Sequence, residues 1–183
     1  MFKILYRIIP EWNGVCINVW RNLQCKKRFD EIWRIDDINT FIVELDNWLG
    51  EKCNYGESLK MLSACEKVFY LNQMFEREVN NGGLAQFLYN SGDGFNAVEV
   101  ENSLREIGAN TTAANYKKML DAFGCELPKA QAEREELLDR IIDDKLNSMI
   151  DEFNSEFCLY HDDLNALNYQ YVMNNRAQFG CKS

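Results

Sequence analysis

The sequence predicts an all-α protein that folds as a single-domain helical bundle. Apolar residues recur with the 3.6-residue period of a helix from Ile38 to Val172, and capping residues stand at the ends of most segments. The chain has 183 residues and two prolines, Pro10 and Pro128, and no Ser/Pro-rich linker divides it. Because this length suffices for one hydrophobic core, we expect one helical domain over residues 36–183.

Residues 1–35 are expected to form an N-terminal arm or a small β-hairpin. The Asn13-Gly14 pair is a favoured hairpin turn, and it lies between residues 3–9 and 15–20, which are both rich in β-branched residues. An irregular or helical arm fits the same residues, so the pattern leaves these alternatives open.

The predicted helices follow one another with short connections. Asp36 or Asp37 caps the first, which Gly50 closes. The second begins near Ser58 and stops at the Asn-Asn-Gly-Gly sequence of residues 80–83. The later helices are predicted over residues 98–107, from Asn110 or Thr111 to Gly124, from the first turn at Pro128 through Phe153, and from Asp162 or Asp163 through Val172.

Negative charge is concentrated in one part of the chain. Residues 1–120 hold 16 acidic and 14 basic side chains, residues 121–163 hold 13 and 4, and residues 164–183 net +2. Residues 121–163 therefore net −9, which equals the formal charge of the whole chain. Nucleic-acid binding needs the opposite sign, because Lys and Arg must displace counterions from phosphates, so we expect no direct nucleic-acid ligand.

The acidic side chains gather on the predicted helix that follows Pro128. Glu135, Asp139 and Asp143 recur every four residues, roughly 6 Å apart along a helix. Such a run is usually a solvated face that aids solubility. Its one-sided placement also suits a surface that imitates DNA phosphates for a basic protein. The candidate partner-binding residues are Glu133, Glu135, Glu136, Asp139, Asp143, Asp144, Asp151, Glu152 and Glu156.

The most specific motif is E-x-x-N-G-G-x-x-Q-F-x-x-N, within residues 76–94. A helix runs into the glycine pair, and a short second helix sets Gln86 and Asn90 on one face. One interpretation is a carboxamide-lined site that holds an anion at a helix N-terminus. The favoured interpretation is structural. The glycines allow a sharp turn between the helices, and the Asn and Gln side chains form hydrogen bonds with the unpaired backbone groups at the helix ends. The motif residues are Glu78, Asn80, Asn81, Gly82, Gly83, Gln86, Phe87 and Asn90.

This motif resembles the signature of a bacterial family whose best-understood member is a DNA-mimic protein. The resemblance is specific over residues 76–94 and looser over residues 58–125. It implies an all-α fold, a homodimer, and surface carboxylates that occupy the DNA-binding face of a transcription factor. The candidate carboxylates above come from the charge pattern of this chain and not from the family.

Other chemistries have little support in the sequence. His161 is the only histidine, and we expect the neighbouring Asp162 and Asp163 to cap a helix and not to bind a metal. Seven cysteines without a C-x-x-C pair indicate free thiols in a reducing cytoplasm. No apolar run approaches the ~18 residues of a membrane span.

We therefore expect a cytoplasmic, non-enzymatic protein that needs no cofactor or metal and does not bind membranes. Its partner would be a basic DNA-binding protein, such as a transcription factor or a nucleoid protein. The alternative is an uncharacterised enzyme or small-ligand-binding domain that uses the polar turn of residues 80–90.

Overall fold

The computed structural model describes residues 27–180, and within that range the chain is helical and has no strand. The predicted all-α fold is thereby confirmed. Residues 27–32 are helical, whereas the predicted hairpin residues 3–9 and 15–20 lie outside the described range. The helices that follow are α1 (Ile38–Lys52), α2 (Ala64–Asn90), α3 (Ala97–Glu106), α4 (Asn110–Ala122), α5 (Gln131–Ile141), α6 (Asp144–Phe157) and α7 (Leu164–Asn174), with short 3-10 helices at Leu59–Met61 and Arg176–Gln178.

Helix α2 forms the centre of the bundle and packs against α1, α3, α5, α6 and α7. Its Phe75 ring lies 5.0 Å from Phe87 and 5.1 Å from Tyr116 of α4, in edge-to-face pairs. Phe157 of α6 meets the same ring at 5.6 Å. These aromatic contacts join three helices around one buried side chain, which is the geometry that aromatic pairs prefer.

Helix α2 begins at Ala64, so the predicted start near Ser58 was wrong. Ser63 and Glu66 form a capping box, in which each side chain accepts a hydrogen bond from the other residue's backbone N–H. Glu66 also accepts a 2.6 Å hydrogen bond from Lys52 of α1. The buried carboxylate thus fixes both the start of α2 and its contact with α1.

The predicted single helix from Pro128 through Phe153 is also wrong, because the structure has two helices there. Ile142 and Asp143 have extended backbone conformations between α5 and α6. The Asp143 carboxylate accepts a 2.9 Å hydrogen bond from Leu146 N and caps α6. An aspartate that caps a new helix cannot continue the previous one, so the chain turns at this point.

Of the two aspartates predicted as alternative caps of the last helix, one has that role and the other caps a different helix. Asp163 was one of the two residues predicted to cap α7. Its carboxylate accepts a 3.0 Å hydrogen bond from Ala166 N and caps that helix. Asp162 instead accepts from Thr112 N at 2.7 Å and caps α4, where Asn110 or Thr111 was expected to do so. A carboxylate distant in sequence thus satisfies the first turn of α4. In residues 27–180 no helix is long and apolar enough to cross a membrane.

Candidate functional site

The acidic segment of residues 133–156 lies on the surface of α5 and α6. Of the nine predicted partner-binding residues, eight are exposed and Glu135 is half-buried. The row of Glu135, Asp139 and Asp143 is interrupted, because Asp143 lies beyond the end of α5. The predicted regular row of three carboxylates on one helix was therefore wrong, and only Glu135 and Asp139 lie on α5.

Those three carboxylates also make hydrogen bonds within the protein. Asp139 accepts a 2.7 Å bond from the Tyr89 hydroxyl, and Glu135 accepts a 2.8 Å bond from Gln131. Desolvation and the hydrogen bond to Asp139 raise the pKa of Tyr89 to about 12. Asp143 caps α6, as described above. A partner that bound these groups would compete with existing contacts.

The other six carboxylates make no side-chain hydrogen bond to Lys or Arg within the described range. Eight carboxylates outside residues 133–156 form ion pairs with Lys or Arg. Among the six, Glu156 lies 3.2 Å from His161 Nε2. We call the six exposed side chains the acidic face: Glu133, Glu136, Asp144, Asp151, Glu152 and Glu156.

Arg134, which directly follows Glu133 in the sequence, is turned into the protein and away from these carboxylates. Arg134 is fully buried and donates to the backbone carbonyls of Leu88 at 2.8 Å, Pro128 at 2.9 Å and Ser91. Its guanidinium also lies over the Phe95 ring, 4.7 Å from the centroid. The sequence pattern did not predict this role. The one signal was an arginine four residues before the buried Leu138, on the apolar stripe of α5.

The family-motif glycines form a kink inside α2. Gly82 and Gly83 have non-helical conformations, and Gly83 has a φ of 80°. Asn154 of α6 accepts a 2.8 Å hydrogen bond from Leu84 N and so caps the second half of the helix. A Cβ at Gly83 would lie 2.5 Å from the Asn154 amide nitrogen. The helix N-terminus that was considered as an anion site is therefore occupied by this side chain.

The predicted shared face of Gln86 and Asn90 is confirmed. Both amides donate to Glu78, at 3.2 Å and 3.1 Å, and thereby bridge the two halves of α2. Phe87 is fully buried in the core. Asn80 donates to the Tyr160 hydroxyl at 2.6 Å, whereas Asn81 is exposed. Most of the motif thus has a structural role that explains its spacing.

Two open clefts flank the first half of α2. One, of about 540 Å³, includes Glu78 and Asn90 in its wall. The other, of about 460 Å³, includes Asp46, Gln73 and Glu76. Each of these last three residues has a buried polar atom with no hydrogen-bond partner among the described residues. Burial raises the pKa of Asp46 despite its ion pair with Arg77, and burial also raises the pKa of Glu76.

Comparison with known proteins gives one match. The model of the DMP19-like protein family matches residues 60–175, a range that includes α2 through α7 and the acidic face. No curated protein and no solved structure matches the chain. The residues of the motif, 78–90, lie within the matched range. Because the match covers more than half of the 183 residues, the protein belongs to the DMP19-like protein family.

Proposed function

We propose that the protein is a non-enzymatic DNA mimic that acts in the cytoplasm. Its acidic face takes the place of DNA phosphates on a basic DNA-binding protein, such as a transcription factor or a nucleoid protein, and keeps that protein from DNA. The observation that carries the proposal is the set of six exposed carboxylates without Lys or Arg partners in residues 27–180. Membership of the DMP19-like family supports it.

The absence of Lys and Arg partners among the described residues matters for binding. A carboxylate that already pairs with Lys or Arg must give up that contact before it meets a partner's cation. Lys and Arg of the described residues offer the acidic face no such competition, and His161 beside Glu156 is its one neighbouring ionisable base within 4 Å there. Complementary charge of this kind accelerates association and selects partners of the opposite sign.

The experiment compares two variants with the native protein. The acidic-face variant carries Glu133→Gln, Glu136→Gln, Asp144→Asn and Asp151→Asn. The charge-matched control removes four exposed carboxylates elsewhere, with Asp30→Asn, Asp36→Asn, Glu57→Gln and Glu126→Gln. Each protein is used to capture DNA-binding proteins from its host at low and then at high salt, with duplex DNA as the competitor.

The native protein and the control should both retain a DNA-binding protein that duplex DNA releases. The acidic-face variant should lose it. High salt should release it from the native protein and from the control, because exposed charges are screened within about 8–10 Å at physiological salt. Equal retention by both variants would contradict the proposal.

A second candidate function is supported by the cleft beside Asp46 and Glu76. Asp46 and Glu76 are both half-buried there, and Arg77 pairs with Asp46. One oxygen of each carboxylate is buried and has no hydrogen-bond partner within residues 27–180. A small amine or guanidine would supply donors to both carboxylates. Added agmatine should then raise the Tm of the native protein, and Glu76→Gln should remove that rise. No change in Tm with agmatine would exclude this ligand class.

A further inference from the structure

An open groove of about 460 Å³ lies between α4 and α6. Each helix contributes one face to it, with residues at positions i, i+3, i+4 and i+7. The lining residues are Asn115, Lys118, Met119 and Ala122 from α4, and Met149, Glu152, Phe153 and Glu156 from α6. The groove therefore runs along two packed helices and has the length of about two helical turns.

The groove is apolar at its floor and charged at its rim. Met119 and Phe153 are buried, and Met149 is half-buried. Glu152 and Glu156 are exposed on the α6 side. The two methionines give the floor a flexible, polarisable surface that adapts to different apolar side chains.

The charges at the rim are unequal. Glu152 and Glu156 belong to the acidic face, and Lys118 is the single cation among the lining residues. Neither glutamate pairs with Lys118 or with another described Lys or Arg. The rim thus nets −1, with its two carboxylates four residues apart, roughly 6 Å along the helix.

We propose that this groove binds one amphipathic helix of the basic partner. Apolar side chains of that helix would contact Met119, Met149 and Phe153. Lys or Arg side chains on one flank, four residues apart, would pair with Glu152 and Glu156. This is the helix-in-groove mode of recognition, with anchors at i, i+3 or i+4, and i+7. The inference rests on the proposed function. It specifies that the partner presents an amphipathic helix and that this helix lies in the groove.

A second copy of the chain fits this groove less well than a basic helix does. In a symmetric dimer the same surface of both protomers meets at the axis. Each groove would then bring a net charge of −1 against another of the same sign. A helix with Lys and Arg on its flank has the opposite charge and also supplies the apolar side chains.

Methionine methyl signals provide a direct test with the whole protein. The chain has six methionines, and of these Met119 and Met149 line the groove. The probe is a synthetic helical peptide with Leu at i, i+3, i+4 and i+7 and Lys on one flank. Its control is a peptide of the same composition in which the order of residues removes the helical period. Protein labelled with 13C at the Met methyl groups is titrated with each peptide.

The helical peptide should shift the Met119 and Met149 signals and leave those of the exposed Met61 and the distant Met173 unchanged. The reordered peptide should not shift them. If both peptides acted alike, or if the two groove signals stayed unchanged, the groove proposal would be overturned. Signals that changed on dilution of the protein alone would identify a second copy as the occupant and would overturn it as well.

A pair of variants separates the groove from the acidic face. Met149→Lys adds a positive charge inside the groove, whereas Ser148→Lys adds the same charge on the exposed surface of α6. We expect Met149→Lys to weaken peptide binding by about tenfold or more and Ser148→Lys to change it much less. Equal losses would overturn the groove proposal. Failure of the proposed function would appear separately, as unchanged partner capture by the acidic-face variant, whose four substitutions lie outside the groove.

Discussion

At the scale of single residues, the side chain of Arg134 joins three segments of the chain. It donates to carbonyls at the end of α2 and in the connection before α5. A charged donor that satisfies several buried acceptors is expensive to remove, because each acceptor is left without a partner. The arginine therefore stabilises the surface on which α5 presents its carboxylates.

We predict that Arg134→Met lowers the free energy of unfolding by at least about 3 kcal/mol, because three carbonyls lose their donor at a cost of about 1–3 kcal/mol each. Arg140→Met is the matched control, since Arg140 is exposed on the same helix and its loss should change stability by no more than about 0.5 kcal/mol. Urea denaturation of both variants measures the difference. Similar midpoints for the two variants would show that the buried contacts are unimportant.

Gly83 is the residue that the kink in α2 depends on most. Its φ of 80° with ψ near 180° is a conformation that only glycine adopts readily. We predict that Gly83→Ala destabilises the protein by about 1–3 kcal/mol, because it adds backbone strain and displaces the Asn154 cap. Gly92→Ala is the control, because nothing lies within 4 Å of the added Cβ. A Gly83→Ala protein as stable as the control would contradict this explanation of the motif.

Glu76 should make stability depend on pH. Burial raises its pKa above the ordinary 4.5, so the folded protein binds the proton more readily than the unfolded chain does. Its contribution is therefore largest at low pH and falls as the pH rises through the folded pKa. We predict that Glu76→Gln raises the free energy of unfolding at neutral pH and that this advantage shrinks toward pH 4.5. Asp46, which faces the same cleft and has its pKa raised by burial, contributes in the same direction.

Urea denaturation at neutral and acidic pH tests this prediction. A Glu76→Gln protein that is less stable than the native one at neutral pH would show that the carboxylate is needed in its charged form.

Residue-level predictions from the sequence succeeded where both partners were close in sequence. The shared face of Gln86 and Asn90 follows from their spacing of four residues. Glu78, which accepts hydrogen bonds from both, lies 8 and 12 residues before them. The roles of Arg134 and Asn154 could not be predicted in this way. Arg134 donates to Leu88 O, 46 residues away, and Asn154 accepts from Leu84 N, 70 residues away, and only the packing of the helices brings these groups together.

At the scale of helices, the break between α5 and α6 determines how the carboxylates are presented. Periodicity predicted the apolar stripes correctly, but it could not distinguish one long helix from two. The decisive residue is Asp143. An aspartate favours the N-cap position because its side chain accepts a hydrogen bond from a backbone N–H two or three residues later, here that of Leu146. In the same way, α4 is capped by Asp162 from a later loop, a contact that no local pattern contains.

We predict that Asp143→Ala lowers the free energy of unfolding by about 1 kcal/mol, the usual cost of losing an N-cap. Asp143→Asn should be close to neutral, because asparagine caps as well as aspartate does. Equilibrium denaturation distinguishes the two variants. If both lost the same stability, charge and not capping would be the contribution of this residue.

At the scale of the whole molecule, we propose a homodimer. Four Trp, eight Tyr and eleven Phe are enough to form an interface as well as a core. Light scattering at micromolar concentration should give twice the 21.4 kDa of one chain. A mass equal to one chain would contradict the dimer and leave the acidic face as a property of the monomer.

We expect the position of the acidic face, and not the net charge of the protein alone, to determine whether the partner binds. The most direct test is the Kd of the captured DNA-binding protein for the native protein, the acidic-face variant and the charge-matched control, measured over a range of salt concentrations. We predict a Kd at least about tenfold weaker for the acidic-face variant, equal to about 1.4 kcal/mol, and a smaller dependence on salt. The control should stay close to the native value. Equal Kd values for the two variants, or an unchanged Kd for the acidic-face variant, would contradict the account.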